Sequence, residues 1–379
     1  MNTPFVYGRI AEKENFTDRE QEQEQLFQSL SGSVNTVIIS PRRWGKTSLV
    51  NKVAQRLVTD KSVRICQVDI FNCRTEEQFY RAYAAAILKA NATVWEDFIT
   101  SARKYLGRLL PSVTLVDMIQ TYELSFGLEF KNNEMSYDEI LDLPQTICKD
   151  AGRRMVVCID EFQNINEYDE TLAFQRKLRS HWQLHTDVCY CLYGSKRHML
   201  LDIFNNYSMP FYKFGNIMFL QKIERTEWVK FIRRRFADTG KKISDELSGI
   251  IADRMKNHPY YTQQLSQQVW LRTASEVTEE IVDDAFRSLI GQLSLLFSNL
   301  IDSLTSRQIR FLQAVADGVT NFSSRDVLMH YQLGTSANIK NLKKAAIEKD
   351  LIDILPGQHI ELQDPAFEYW LTRVYAGKH

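Results

Sequence analysis

The stretch NTVIISPRRWGKTSLVNKVAQRL, residues 35–57, constrains the fold more than any other part of the chain. Residues 35–40 are a short apolar run, too short for a helix and rich in β-branched side chains. Residues 47–58 carry helical spacing. A continuous apolar strand feeding a loop and then a helix suits a strand buried on both faces of a parallel sheet. The loop between them ends in Gly45, Lys46 and Thr47, the close of a G-x-x-x-x-G-K-[ST] phosphate loop, but Ser40 stands where the first glycine is usual. Gly45 keeps the position of closest backbone approach, and the first position lies farther out at the strand exit, where serine is tolerable.

The same alternation continues. RICQVDIF (64–71), MVVCID (155–160) and VCYCLYGS (188–195) read as further buried strands, and 76–90 as a helix. Strand–helix alternation of this kind predicts an α/β layered domain. The pattern breaks between about 91 and 145, where VTLVDMIQTYELSFGLEFKNN alternates like a hairpin and reads as an insertion. Residues 221–290 read as helical throughout, and from about 300 three short helices precede two strands. At 379 residues the expectation is a core over 1–220, a helical lid over 221–299 and a third domain over 300–379.

The chemistry is concentrated at two strand ends. Successive loop N–H groups and a helix N-terminus converge on phosphate oxygens, so Ser40, Pro41, Arg42, Arg43, Trp44, Gly45, Lys46, Thr47 and Ser48 form a candidate cradle. Lys46 supplies a charge at the β/γ-phosphates, and the Thr47 hydroxyl a ligand for Mg²⁺. Asp160 and Glu161 end an apolar strand, where open α/β sheets bind ligands. Asp160 is a candidate Mg²⁺ holder and Glu161 a candidate base for an attacking water. Standing alone, the pair would equally be a solvated turn.

TPFVYG, FTDREQE, PRRWGKTSL, VVCIDEFQ and CLYGS together resemble the archaeal-type ATPase family of P-loop proteins, in the AAA+/STAND region of that class. The resemblance runs from Pro4 to about Trp370. It implies an AAA+-like parallel sheet, a helical lid and a C-terminal winged helix, with ATP and Mg²⁺ as ligands. It makes Ser40 a family variant of the loop rather than a defect. It places Phe5, Gly8 and Arg19 near the adenine, and gives Ser195 a role in reading the γ-phosphate; a strand-end turn serine is the other reading. NHPYYTQQL (257–265) resembles a Gly-x-Pro motif whose proline packs near adenine, implicating Pro259. Asn257 replaces the glycine, and helix capping is its alternative. Arg176, Arg179 and Arg197 are arginine-finger candidates by position only. Without an assignable finger, slow basal turnover is expected.

Residues 306–318, 323–333 and 335–352, then strands about Pro356-Gly357, read as a winged helix. In its third helix Ile339, Leu342 and Ala346 face a core. Lys340, Lys343 and Lys344 share another face that could lie in a duplex groove. A solvated face, or one that docks on the ATPase domain or a protein, is the favoured alternative, since Glu348, Asp350 and Asp353 dilute the charge. Phe367, Trp370 and Leu371 are expected core anchors.

Lys+Arg and Asp+Glu balance at 47 each, which argues against nucleic-acid binding through overall charge but not through a local basic face. The N-terminus lacks a signal-peptide order, and no apolar run spans a membrane. The six cysteines, without CxxC pairs, read as buried thiols of a reducing compartment, the cytoplasm. The expected function is an ATP-dependent switch, a Mg²⁺-dependent ATPase acting through its winged helix on a protein or duplex DNA. The rivals are a DNA-loading ATPase and a non-hydrolysing nucleotide-held module.

Overall fold

The computed structural model describes residues 3–11, 13–92, 100–101, 104–105, 110–115, 124–129, 137–355 and 359–378. They fall into two compact units, one of residues 19–42 and 46–220, the other of residues 1–18, 43–45 and 221–379.

The first unit is built on strands β1 (Thr36–Ile39), β2 (Val63–Asp69), β3 (Leu110–Leu115), β4 (Leu124–Glu129), β5 (Arg154–Asp160), β6 (Val188–Gly194) and β7 (Asn216–Phe219). Five form one sheet in the order β2-β5-β6-β1-β7. All its pairings are parallel, so the strand C-termini lie along one edge. Strands β1 and β6 are buried at every residue, and β5 at its five central ones, as their uninterrupted apolar runs require. Strands β3 and β4 form the antiparallel hairpin expected of the insertion, and the residues joining them lie outside those described.

Helices clasp this sheet. Helix α2 (Lys46–Leu57) buries Leu49, Val50, Val53 and Leu57. Each buried aliphatic side chain contributes about 1.5–3 kcal/mol, which anchors the helix whose first residue is Lys46. Helix α3 (Glu76–Asn91) starts at Thr75, whose hydroxyl accepts from Gln78 N–H. The helix Tyr137–Ala151 buries Ile140, Leu141, Leu143 and Ile147 in the sheet's core, so the part of 91–145 from Tyr137 onward belongs to that core. Its aromatic centre stacks Trp182 on Tyr190 with centroids 4.2 Å apart.

Helices Tyr137–Ala151, Thr171–Trp182 and Arg197–Asn205 are not assigned from the sequence, and two further elements leave no period to read. Helix α1 (Glu20–Ser31) is so polar that only Leu26 and Leu30 are buried. Strand β7 is a four-residue edge strand with one neighbour, β1, and one fully buried residue, Met218. Neither presents the repeat on which periodicity depends.

The second unit carries helices Arg225–Ala237, Asp245–Arg254, Pro259–Arg272 and Glu279–Asp302, the last running through the expected boundary near 300. Helices Ser306–Ala316, Arg325–His330 and Ser336–Glu348 follow, then the antiparallel pair β8 (Ile352–Ile354) and β9 (Ile360–Leu362). Thr305 closes a reciprocal capping box with Gln308, and Ser324 caps the second helix. Ile339, Leu342, Ala346, Phe367, Trp370 and Leu371 are all buried, as anticipated. The Pro356-Gly357 turn lies outside the described residues. The N-terminal segment packs here: Val6 N–H donates to Gln263 Oε1 at 3.0 Å, and the Arg235 Nε–H donates to Pro4 O at 2.7 Å.

Candidate nucleotide site

The site grows from the C-terminal edge of the sheet. β1 ends at Ile39 and the chain turns through Ser40 and Pro41, both buried. Ser40 is 1% exposed and its hydroxyl donates to Pro41 O at 3.2 Å, so the larger residue is accommodated with its polar group satisfied. Gly45 takes φ +86°, where an L side chain would be strained. Arg43 sits at φ +62°. Helix α2 then opens at Lys46, aiming its free N–H groups and the positive end of its dipole at the loop.

Lys46 is 6% exposed, and its ammonium donates to Pro41 O at 2.9 Å and Ser40 O at 3.3 Å. Burial pushes its pKa down to about 8, against the pull of Glu161 and Asp160, while Arg42 and Arg19 push the same way as burial. A cation kept dry beside two further cations is poised to receive an anion. Arg19 is 2% exposed, adopts φ +68° ahead of α1 and pairs with Glu22 at 3.1 Å.

The acidic half comes from β5. The Thr47 hydroxyl donates to Asp160 Oδ2 at 2.9 Å, and Glu161 N–H donates to Asp160 Oδ1 at 2.8 Å. Burial raises the Asp160 pKa to about 6, with repulsion from Glu161 adding to it and the Thr47 bond opposing it. A hydroxyl beside one carboxylate is a hard-oxygen pair suited to Mg²⁺, which takes one or two carboxylates and fills the rest of its shell with water and phosphate. Thr47 and Asp160 therefore fit the metal, and among the described residues no cluster of three His, Cys, Asp or Glu offers a more enclosed cation site.

Glu161 does not continue the strand. It turns into the left-handed region at φ 54°, ahead of the short 3₁₀ segment Phe162–Glu167. Its Oε2 accepts from the Ser195 hydroxyl at 2.8 Å, from Ser195 N–H at 3.3 Å and from the Gln163 amide at 2.5 Å. Ser195 thus lies against the catalytic candidate itself. Gln163 is the residue that sequence reading passed over. Its signal emerges only when β6 brings Gly194 beside it.

The remaining candidates are distributed. Arg42 is exposed. Within the second unit the Arg43 guanidinium lies 4.5 Å from the Tyr260 ring centroid, and the Trp44 indole meets the His258 ring edge-on at 6.3 Å. His258 is buried and its pKa falls to about 3, through burial first and Arg43 second. Pro259 opens its helix and is buried, and Asn257 takes φ +60°, supplying the conformation a glycine would. His258, not Asn257, occupies the cap position. Phe5 is 1% exposed, its ring sunk among Phe231 and Phe236, while Gly8 is exposed at φ +74°. Arg179 lies over Phe214, Arg197 over Phe219, and Arg176 is exposed.

In the C-terminal module Lys340 and Lys344 are exposed. Lys344 has Glu348 at 3.7 Å, and Lys343 lies 5.3 Å over the Phe322 ring. All six cysteines are buried free thiols. No helix among the described residues is long and apolar enough to cross a membrane.

Comparison with known proteins agrees with this geometry. Residues 295–373 match a family model described as a probable winged helix domain. The Walker-type ATPase PABY2304 of Pyrococcus abyssi superposes with a TM-score of 0.69 at 15% identity, covering 98% of this chain and 100% of that one. The Aeropyrum pernix ORC2 protein, solved in ADPNP–ADP complexes, gives 0.59 at 14% identity over 99% and 98%. The Aeropyrum pernix ORC1 protein in complex with DNA gives 0.50 at 12% identity over 96% and 94%. No curated protein matches by sequence. The chain shares the fold of these solved ATPases, a parallel sheet with helices, and residues 295–373 match a winged-helix domain.

Proposed function

We propose that this chain binds ATP with Mg²⁺ and hydrolyses it slowly, as a switch whose nucleotide state governs its winged-helix domain. One observation carries the reading. A buried lysine at a helix N-terminus, a Thr47–Asp160 pair and an anchored Glu161 converge on one sheet edge. Lys46 and the loop N–H groups would hold the phosphates. Thr47 and Asp160 would hold Mg²⁺, which neutralises charge building on the β- and γ-phosphates. Glu161 takes a proton from water as its oxygen bonds to the γ-phosphorus. The bond from that phosphorus to the β–γ bridging oxygen breaks, and its electron pair leaves with ADP. What supports a switch is that one chain carries both the loop-bearing parallel sheet and, over residues 295–373, a match to a winged-helix family model. Six buried free thiols suit the reducing cytoplasm.

A second reading, duplex binding, is favoured by the exposed Lys340 and Lys344 on the third winged-helix helix and by a structural neighbour solved with DNA. A protein partner in place of DNA is the other outcome.

The test is Mg²⁺-ATP turnover by purified protein with and without duplex DNA, beside Glu161→Gln. Turnover below about 1 s⁻¹ that vanishes in the variant is expected. Tight ATP binding with no turnover under either condition would leave a non-hydrolysing module instead. DNA-stimulated turnover would establish the second reading.

A further inference from the structure

Gln163 is nearly inaccessible, at 1% exposure, yet its amide oxygen has no hydrogen-bond partner among the described residues. Its amide nitrogen is spent on Glu161 Oε2 at 2.5 Å and reaches Asn164 Oδ1 at 3.5 Å. The orientation is forced, because a carboxylate only accepts and so must face the –NH₂ end. A buried, unpaired amide oxygen works against the fold, and an apolar side chain of the same size would serve packing better. Packing does not account for a glutamine here.

The neighbouring strand makes room for it. A Cβ on Gly194 would lie 1.8 Å from Gln163 Oε1, 2.9 Å from its Cδ and 3.4 Å from Glu161 Cα. The last residue of β6 is therefore a glycine because this amide fills the space where a side chain would begin. The next residue, Ser195, adds two more donors to the same carboxylate oxygen. Glu161 is thus held by Oε2 alone, from two directions, and among the described residues Oε1 takes no hydrogen bond.

We propose that Gln163 is a positioning residue for hydrolysis. With Ser195 it pins Oε2 of Glu161, so that Oε1 is left as the atom that accepts the proton of the attacking water. This rests on the ATPase reading above. Gln163 touches neither nucleotide nor water in this role; it acts through Glu161.

The experiment compares full-length parent, Gln163→Met, Gln163→Glu, Gly194→Ala and Glu161→Gln, in Mg²⁺-ATP turnover, affinity for a fluorescent ATP analogue, and thermal midpoint. Gln163→Met keeps the size, removes the donor and removes the orphaned oxygen. It is expected to lower kcat about ten- to a hundredfold, as small misplacements of a reacting group do. KM should stay within about twofold, because ground-state binding is untouched. Its midpoint should not fall. Gln163→Glu should lower kcat further, since a second carboxylate repels Glu161. Gly194→Ala keeps the amide but evicts it, and should lower kcat as Gln163→Met does. Parental kcat in Gln163→Met or Gly194→Ala, or a loss confined to KM or tracking a lowered midpoint, would overturn the proposal. Its failure is separable from failure of the ATPase reading, which an inactive parent or a fully active Glu161→Gln would overturn instead.

Discussion

Charged groups are handled in opposite ways at the two ends of this molecule. At the sheet edge Lys46 and Asp160 are taken largely out of water, and each is displaced toward neutrality, the lysine to about 8 and the carboxyl to about 6. On the third winged-helix helix, Lys340 and Lys344 stand in solvent. Desolvating a charge is costly, so strongly shifted groups of this kind are candidates for a functional site. Exposed lysines cost nothing and so say little by themselves.

The largest effect should sharpen that contrast. Lys46→Ala is expected to weaken ATP binding at least a hundredfold by equilibrium titration, since it removes a desolvated, charge-assisted contact. Retained affinity would erase the distinction between the two ends. Next comes Lys343→Glu. If duplex binding holds, this reversal should abolish binding to a mixed-sequence duplex at low salt, where phosphate contacts dominate. Unchanged duplex affinity would leave the basic face to a protein partner or to solvent.

The third concerns pH. Burial pushes the Lys46 pKa down to about 8, so ATP affinity should be level below that pH and decline above it, measured at constant ionic strength. Stability runs the other way. The folded lysine binds its proton more weakly than the unfolded one, so the cost of burying its charge is fully present below pH 8. That cost lifts as pH rises toward the unfolded value.

The fourth uses Asp160. Its raised pKa means the folded protein binds a proton more tightly than the unfolded chain, so its contribution falls as pH rises from about 4 to 6 and a buried anion remains above that. Asp160→Asn should therefore stabilise the nucleotide-free protein at pH 7 by about 2 kcal/mol while removing Mg²⁺-dependent activity. A loss of stability would break the argument that this residue serves the ligand. Smallest of all, Lys344→Ala should change stability by under about 0.5 kcal/mol, since an exposed helix pair contributes little.

Among the strands, legibility in the sequence followed burial on both faces. β1, β5 and β6 could be read because burial on both faces leaves an uninterrupted apolar run. Lys46, Thr47, Asp160 and Glu161 could be read because their chemistry is tied to strand ends. β7 and α1 could not, because an edge strand and a polar helix bury too little to leave a period. Phe5, which the resemblance associates with adenine, has its ring packed against Phe231 and Phe236. Gln163 was illegible for a different reason. A glutamine two residues beyond an acidic pair carries no signal until the chain returns at Gly194 to show that the space beside it was kept clear.

The order of strands also sets a timetable for synthesis. Among the described residues β1, which leads into the loop at Ser40, pairs with β6 and β7, and β2 lies at the far side of the sheet. A nascent chain therefore carries the apolar TVII run with both hydrogen-bonding edges open until Val188 and then Asn216 have left the ribosome. At ~5–20 residues per second that interval lasts roughly ten seconds or more. Throughout it β1, from which the loop leaves, has no partner strand. A product released before β6 is complete would present an unpaired apolar strand to its neighbours.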